Sequence, residues 1–259
     1  MARRLLLIVL ILYILVPILM PVIFSFSTFW QDILPVGFTL QWYEAIVRKS
    51  QNQSALIVSL VIASEAVLLT MLISVPAAYA LSRLKSPFGR TLNSLSMVVP
   101  LVFPPVIVGT ALAQSFSRPP LSLTGSVTMV VIAHTLVGFP FMFRNTLAAF
   151  ATINEKDLSE AAASLGANLW RRLLHVILPN VMPGILTGAM LVFAISIGEF
   201  EVTSMVAGFS AQTLPMRLFQ QMRNDMRSAG AMSALLVYVS VLAVLGLSYF
   251  GNRVRGVRR

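Results

Sequence analysis

The sequence predicts an all-α membrane protein with six transmembrane helices. Hydrophobic residues make up 57% of the 259 residues and charged residues only 11%, whereas a soluble domain carries about 25% charged residues. The charges also leave six stretches that are almost free of charge, each long enough for the roughly 20 apolar residues that a spanning helix needs. A disordered chain is excluded, because disorder requires low hydrophobicity and many charges.

We predict one transmembrane domain over residues 1–259. Its spans lie at about 5–27, 55–81, 92–116, 126–143, 183–208 and 230–250. The first span follows Arg3 and Arg4, as the core of a signal peptide would. It is too long for one, contains Pro17 and Pro21 and shows no small-residue cleavage site, so we interpret it as a retained helix. The fifth nearly uncharged stretch could in principle hold two short spans. Because Pro179 and Pro183 near its start are typical of a helix entered after a turn, we interpret it as one long helix.

The distribution of Lys and Arg predicts the orientation in the membrane. The N-terminus, the 82–91 loop, the 144–182 loop and the C-terminal tail hold thirteen of these residues, and the opposite side holds six. We expect the richer side to be cytoplasmic, with both termini inside the cell. The net charge of +10 is then mostly a topology signal. Nucleic-acid binding is the competing explanation, but the charges are scattered over short loops.

The 144–182 loop is long and polar, and we therefore expect it to carry structure of its own. A helix is predicted to begin near Asn154 and to run through strong helix formers until Gly166, a natural helix stop. A second short helix over 168–178 is predicted to end before Pro179. Physical reasoning leaves two interpretations open. The first helix fits a groove on a partner, or the loop lies on lipid as an amphipathic helix.

The segment from Glu160 to Pro179 resembles the EAA motif of ABC importer permeases. That motif reads E-A-A, three residues, G, nine residues, I, one residue, L-P, and only Val176 in place of Ile departs from it. The resemblance implies the type I ABC importer permease fold with a cytoplasmic coupling helix. In that family this loop docks into a cleft on an ATPase subunit and passes the closure of that subunit to the membrane helices. The implied coupling contacts are Glu160, Ala161, Ala162 and Gly166.

Other short segments are similar to the polyamine, phosphonate and ferric branch of these permeases. They are Gly37–Tyr43, Ala133–Thr135, Gly198–Phe200 and Thr213–Pro215. The implied function is ATP-driven import of a small polar solute across the bacterial inner membrane. Acidic groups near the path favour a polyamine such as spermidine or putrescine, while the branch equally allows 2-aminoethylphosphonate or ferric ion. The implied partners are two ATPase subunits, a second permease, a periplasmic solute-binding protein and the lipid bilayer, without nucleic acid.

No residues for catalysis, nucleotide binding or a metal centre emerge from the sequence. The chain has no Cys and only two His, which excludes thiolate and His-rich metal sites. None of its lysines follows a Gly, so it lacks a Walker A loop. We therefore expect no enzyme activity and no cofactor on this chain, with ATP and Mg²⁺ bound by separate ATPase subunits. An ion-coupled carrier or channel is the more distant alternative, and the lack of a visible repeat argues against it.

Ionisable residues inside a membrane are costly and are candidates for function. The carboxylates that qualify are Glu65, Glu199 and Glu201. Helical spacing places Glu199 on one face with Ser196 and Thr203, which makes it the preferred residue of the translocation pathway. Glu201 points elsewhere on a helix, toward a subunit or inter-helix contact, and completes the set of pathway candidates. A lone His134 is interpreted as a helix-packing residue.

Overall fold

A computed structural model describes residues 2–30, 35–84, 86, 87, 89, 91, 94 and 104–256. Helices dominate these residues, which confirms the predicted all-α class. They are α1 (Ala2–Ser25), α2 (Gln41–Arg48), α3 (Ser50–Arg83), α4 (Pro105–Ser115), α5 (Val127–Ala151), α6 (Glu155–Ser164), α7 (Leu169–Arg172), α8 (Leu178–Gly198), α9 (Glu201–Val206), α10 (Leu214–Asn224) and α11 (Met226–Gly256). A π turn, Leu173–Ile177, joins α7 to α8, and a 3-10 turn covers Phe209–Ala211. The exception is an antiparallel hairpin of β1 (Ser27–Phe29) and β2 (Val36–Phe38), in which Ser27 pairs with Phe38.

Five helical segments within the described residues are long and apolar enough to cross a membrane. They are Arg4–Ser25, Ser50–Arg83, Val127–Ala151, Leu169–Gly198 and Met226–Gly246, and they overlap the first, second, fourth, fifth and sixth predicted spans. The third predicted span, 92–116, contains the shorter apolar helix α4. Residues 92, 93 and 95–103 of that span lie outside the described residues.

The first of two compact units comprises Met1–Ser59 and Gln212–Val241. Its small core consists of Ile46, Ala55, Leu214, Ala231 and Met232. The start of α10 is fixed in this unit, because the backbone N–H of Leu214 donates to Ser59 Oγ at 2.8 Å. The Tyr43 hydroxyl lies 2.6 Å from Ser25 Oγ and 3.2 Å from the Tyr238 hydroxyl. Helix α2 is thereby tied to both α1 and α11.

The second unit comprises Leu60–Ala211 and Leu242–Arg259, and its centre is the packing of α5 against α8. Glycines permit the close approach of these two helices. A Cβ on Gly188 would lie 2.8 Å from Met142 Sδ, and one on Gly138 would lie 2.8 Å from Val192 Cγ1. The buried core around this contact contains Ala78, Met142, Phe143, Phe150, Ile177, Val181, Ile185, Ala189 and Val192.

The prediction that a helix ends before Pro179 is wrong, because helix continues through this residue into α8. Proline lacks the N–H that an α-helix interior requires. The π turn accommodates this loss, since the Leu178 N–H bonds five residues back to the Leu173 carbonyl and Pro179 then falls in the first turn of α8. A π turn adds one residue to a helical turn and is often found at functional sites.

The prediction of one long helix over 183–208 is also wrong. Helix α8 ends at Gly198, Glu199 is extended at φ −72° and ψ 123°, and α9 begins at Glu201. The Glu199 carboxylate accepts a hydrogen bond from the Val202 N–H at 3.0 Å. It thus satisfies a backbone donor that the start of a helix leaves without a partner. The fifth span is therefore two helical pieces joined by an extended residue.

Candidate functional site

Helix α6 lies where the EAA-like segment predicts a helix, and its C-terminal stop is built as predicted. Gly166 has φ +82°, a left-handed conformation that glycine adopts without steric cost. Its N–H bonds to the Ala163 carbonyl at 2.9 Å, and the Ala167 N–H bonds to the Ala162 carbonyl at 3.0 Å. This pair of bonds is a Schellman motif. At the other end Asn154 holds the N-cap position, but its side chain donates to Asp157 and not to the backbone.

The residues of the predicted coupling contacts do not all face outward. Glu160, Ala161 and Gly166 are exposed, whereas Ala162 is buried. A Cβ added at Gly166 would meet nothing within 4 Å. Ala162 therefore packs α6 onto its own unit, and the other three residues form an open surface.

Two large apolar side chains adjoin this surface. Leu165 is 89% exposed and Trp170 is 72% exposed. Both follow the polar helix α6, in which Leu158 is the only bulky apolar residue. Exposed apolar side chains that cluster in this way mark interaction sites. We call the set Glu160, Ala161, Leu165, Gly166 and Trp170 the coupling surface.

A charged brace joins the start of α6 to the end of α3. Arg83 Nη2 lies 2.5 Å from Glu155 Oε1, and the Tyr79 hydroxyl donates to the same oxygen at 3.5 Å. The Arg83 guanidinium also stacks over the Tyr79 ring, 4.7 Å from its centroid. The second span and α6 are therefore linked by side chains 72 positions apart. Sequence reasoning missed this brace, because it counted the basic residues of the 82–91 loop, which include Arg83, only toward the topology.

The other end of the loop continues into the fifth span without interruption. Leu169–Gly198 form one helical segment of 30 residues that includes the π turn. Arg172 Nη1 donates to Ser159 Oγ at 3.1 Å, which ties this segment back to α6. Helix α6 is thus connected through side chains to α3 and, through the chain that follows it, to α8.

The break in the fifth span brings together the other predicted site residues. Ser196 lies in the last turn of α8 and Thr203 in the first turn of α9, and the hydroxyls of both contact the imidazole of His134 on α5. Both hydroxyl residues are buried. Ser196 and Thr203 therefore lie close together, as expected, and they do so because both hydroxyls contact the His134 imidazole. The role of these residues in a pathway stays a prediction.

The three intramembrane carboxylates have different environments. Glu199 Oε1 caps α9, while Oε2 is buried and has no hydrogen-bond partner among the described residues. Glu201 is exposed at the first position of α9, and Glu65 is exposed on α3. Among these three carboxylates, only Glu199 thus has a buried oxygen without a hydrogen-bond partner in the described residues.

The described residues contain no metal centre. Within them, no group of three or more His, Asp or Glu side chains could hold a metal ion. A groove of about 630 Å³ lies in the first unit. Its lining is mostly apolar: Pro17, Met20, Pro21, Phe24, Trp30, Leu218, Met222, Met226, Ala229, Gly230 and Ser233. It contains none of the predicted pathway residues.

Comparison with known protein families identifies the class of protein to which this chain belongs. Residues 70–259 match the family described as "Binding-protein-dependent transport system inner membrane component". The chain belongs to this family. The match covers the loop with α6, the helix break and the last four of the predicted spans.

Individual relatives agree with the family. The chain is 34% identical over 230 residues to the molybdenum transport system permease protein ModB of Mycobacterium tuberculosis, covering 83% of this chain and 86% of that protein. It is 33% identical over 247 residues to the putative 2-aminoethylphosphonate transport system permease protein PhnV of Salmonella typhimurium, covering 94% and 91%. A solved bacterial alginate ABC transporter in complex with its alginate-bound periplasmic protein matches the fold with a TM-score of 0.71 at 18% identity, over 98% of this chain and 96% of that chain.

These matches confirm the resemblance drawn from the EAA-like segment. The chain is a permease subunit of an ABC importer and an integral inner-membrane protein. It has the type I importer permease fold. As a member of this family it is a non-catalytic transport subunit.

Proposed function

We propose that transport by this permease subunit is driven by separate ATPase subunits that bind the coupling surface on and beside α6. The observation that carries the proposal is the exposure of Leu165 and Trp170 within the EAA-like segment. Burying one such apolar side chain in an interface contributes about 1.5–3 kcal/mol. The exposed Glu160 adds a charge that specifies orientation more than affinity. A lipid surface is a poorer partner, because the exposed carboxylates Asp157 and Glu160 carry the same sign of charge as anionic headgroups.

We propose that movement of α6 reaches the membrane helices through two connections. The brace between Arg83 and Glu155 connects α6 to the second span, and the continuous helix from Leu169 connects it to the fifth span. Closure of the ATPase dimer would carry α6 with it and reorient both spans together. ATP and Mg²⁺ belong to the ATPase subunits, since this chain has no phosphate-binding loop. Both termini and α6 lie on the cytoplasmic side, as the Lys and Arg distribution indicates.

The remaining partners follow from the same proposal. The assembly contains two ATPase subunits, a second permease of similar fold and a periplasmic solute-binding protein that delivers the solute. The solute passes between the two permeases. The pathway candidates are Glu199, Ser196, Thr203 and Glu201. Glu199 is the first of them, because its Oε2 atom has no hydrogen-bond partner among the described residues.

The transported solute is a small polar molecule. The expectation of a polyamine is not specifically favoured, because relatives named for molybdenum and for 2-aminoethylphosphonate transport match at 34% and 33% identity. The acidic residues near the helix break do not outweigh these similarities. Uptake of labelled spermidine, 2-aminoethylphosphonate, molybdate and ferric ion by the full assembly with its own binding protein would identify the class.

Charge reversal on α6 tests the coupling proposal. The Glu160→Arg variant is expected to lose the ATPase subunit during co-purification from membranes while inserting at the level of the parent chain. Glu44→Arg is the matched control. Glu44 is an exposed carboxylate on α2, which the predicted topology places on the opposite side of the membrane, so this variant is expected to retain the ATPase. Full retention of the ATPase by Glu160→Arg would exclude the coupling surface.

Uptake experiments separate this proposal from an ion-coupled carrier. Vesicles that contain the chain, its second permease and the binding protein are expected to accumulate solute only when the ATPase and internal ATP are present. Uptake by the permeases alone, driven by an imposed ion gradient, would favour the carrier.

A further inference from the structure

His134 makes two short side-chain contacts across the break in the fifth span. It is 2% exposed. Its Nδ1 atom lies 2.6 Å from Ser196 Oγ at the end of α8, and its Nε2 atom lies 2.7 Å from Thr203 Oγ1 at the start of α9. A neutral imidazole has one N–H and one acceptor nitrogen, so it donates to one hydroxyl and accepts from the other. One ring therefore bonds both helical pieces.

This arrangement differs from ordinary packing of a threonine in a helix. Thr135, beside His134, donates to the Val131 carbonyl four residues back at 2.8 Å, which is a local bond within one helix. The corresponding local bond of Thr203, to the Glu199 carbonyl, is 3.3 Å long, and its hydroxyl lies closer to the histidine. Buried polar networks restrict the conformations that a core can adopt. The Thr203 hydroxyl thus serves a contact between helices.

Helix α9 has further contacts on its other sides. A Cβ on Gly109 of α4 would lie 2.9 Å from Met205 Cβ, so α4 and α9 approach closely. The Gly125 N–H donates to the Val206 carbonyl at 2.8 Å. Helix α9 is therefore packed with α4, with the loop at Gly125 and with α5, while α8 is packed with α5. The backbone that joins α8 to α9 is Glu199, which is extended, and Phe200 at the N-cap position, so no continuous helix fixes the angle between the two pieces.

We infer that His134 is a positioning residue for transport that sets the angle between α8 and α9 at the helix break. The imidazole holds α9, and α4 with it, in a fixed orientation relative to the α5–α8 pair. Loss of either hydroxyl contact frees this angle. Glu199, the pathway candidate with an unused oxygen, lies in the joint itself and is oriented by the same contacts. Neither the family match nor the proposed function assigns this role.

Distance measurements on the full-length chain in lipid nanodiscs test the positioning role. The sequence contains no Cys, so Leu191→Cys on α8 and Phe209→Cys in the 3-10 turn just after α9 provide the two attachment points for spin labels. Both positions are exposed. The test variant is Thr203→Val, which keeps the shape of the side chain and removes the hydroxyl. Thr135→Val, a buried threonine with only a local bond, is the matched control.

The expected results are specific to the hydroxyl. Thr203→Val is expected to broaden the distance distribution or shift its mean by about 2 Å or more, the size of helix shifts in known switching transitions. Thr203→Ser, which retains the hydroxyl, is expected to restore the parent distribution, and Thr135→Val is expected to match the parent. Superimposable distributions for Thr203→Val and the parent would overturn the inference. If Thr203→Val fails to fold, Ser196→Ala replaces it with the same expected outcomes.

A second measurement connects the angle to transport and rests on the proposed function. In the reconstituted importer, Thr203→Val is expected to raise the number of ATP molecules hydrolysed per solute imported. Loss of one hydrogen bond changes a conformational equilibrium about twofold to tenfold, which bounds the increase. If no ATP-driven uptake occurs in the parent, the proposed function fails, while the distance result still decides the role of His134. An unchanged ratio alongside ATP-driven uptake would overturn the role of His134 in transport.

Discussion

Replacing Glu155 by Gln removes the charge from the brace between α3 and α6 while keeping the size of the side chain. A hydrogen bond to a charged group contributes about 1.5–3 kcal/mol when shielded from water, and an exposed ion pair contributes about 0.2–1 kcal/mol. The Glu155 side chain is 15% exposed and that of Arg83 is 49% exposed. After the discount for solvent screening of Arg83, we expect an interaction free energy of about 1 kcal/mol.

A double-mutant cycle isolates this value. The cycle compares Glu155→Gln, Arg83→Gln and the double variant, so that the lost stacking of Arg83 on Tyr79 cancels. Unfolding in mixed detergent micelles, followed by far-UV circular dichroism, gives the free energies. The internal control is the pair Lys156 and Glu160, whose atoms are 3.8 Å apart and whose side chains are 78% and 66% exposed. We expect about 0.3 kcal/mol for this exposed pair.

The two pairs should also differ in their response to salt. The Debye length falls from about 10 Å at 0.1 M ionic strength to about 3 Å at 1 M, so the exposed control pair, 3.8 Å apart, is expected to lose most of its interaction as the salt concentration approaches about 1 M. The Arg83–Glu155 pair is expected to keep most of its interaction free energy when salt is added. An interaction free energy for Arg83 and Glu155 no larger than that of the control pair would refute the role of the brace in holding α6.

Three other changes have defined outcomes in the same unfolding assay. Gly166→Ala is expected to cost about 1–2 kcal/mol, because φ is +82° there and an L side chain is strained in the left-handed region. Gly198→Ala, where a methyl meets nothing within 4 Å, is the control and is expected not to destabilise the chain. Gly184→Ala is expected to cost about 1–3 kcal/mol through overpacking, because its Cβ would lie 2.7 Å from the Asn145 carbonyl oxygen; a neutral result would contradict the close α5–α8 contact. Burial raises the pKa of Tyr43 from 10.0 to about 12. Its contribution to stability is therefore full below pH 10 and lost as the pH rises through 12, and Tyr43→Phe is expected to flatten that decline in a pH series.

The parts of the fold that local chemistry determines were predictable from the sequence. Helix α6 and its stop were predicted because strong helix formers precede a glycine, and Gly166 is left-handed as expected. The long apolar stretches also indicated the membrane helices. These signals depend on residues that are neighbours in sequence, so one chain was enough to interpret them.

The predictions that failed depend on tertiary or register effects. Proline is expected to end an α-helix, yet the π turn before Pro179 changes the hydrogen-bond register and the helix continues. The break at Glu199 falls within a continuous apolar stretch, and its hydroxyl partners meet on His134 from another helix. The helical-face argument assumed an unbroken helix, so it brought Ser196 and Thr203 together for the wrong reason.

The contacts around α6 likewise include some that the sequence predicted and others that depend on tertiary structure. The sequence marked Glu160 and Ala161, which the structure leaves exposed, but also Ala162, which is buried against its own unit. The brace joins residues 72 positions apart, and no local pattern indicates such a pair. Exposure of Leu165 and Trp170 is likewise a tertiary property, because apolar residues in a membrane protein are expected to face lipid or core.

The π turn at Leu173–Ile177 also determines how the helical residues before it are rotated about the helix axis relative to those after it. Each residue of an α-helix advances the helix by about 100°, and the π turn contains one residue more than an α-helical turn. The face of the chain that carries Trp170 is therefore rotated by about that angle relative to the face it would occupy on an unbroken α-helix ending at Gly198. The number of residues in this turn therefore fixes the direction in which the loop faces an ATPase subunit. Substitutions on either side of the turn that leave this number unchanged do not rotate the loop.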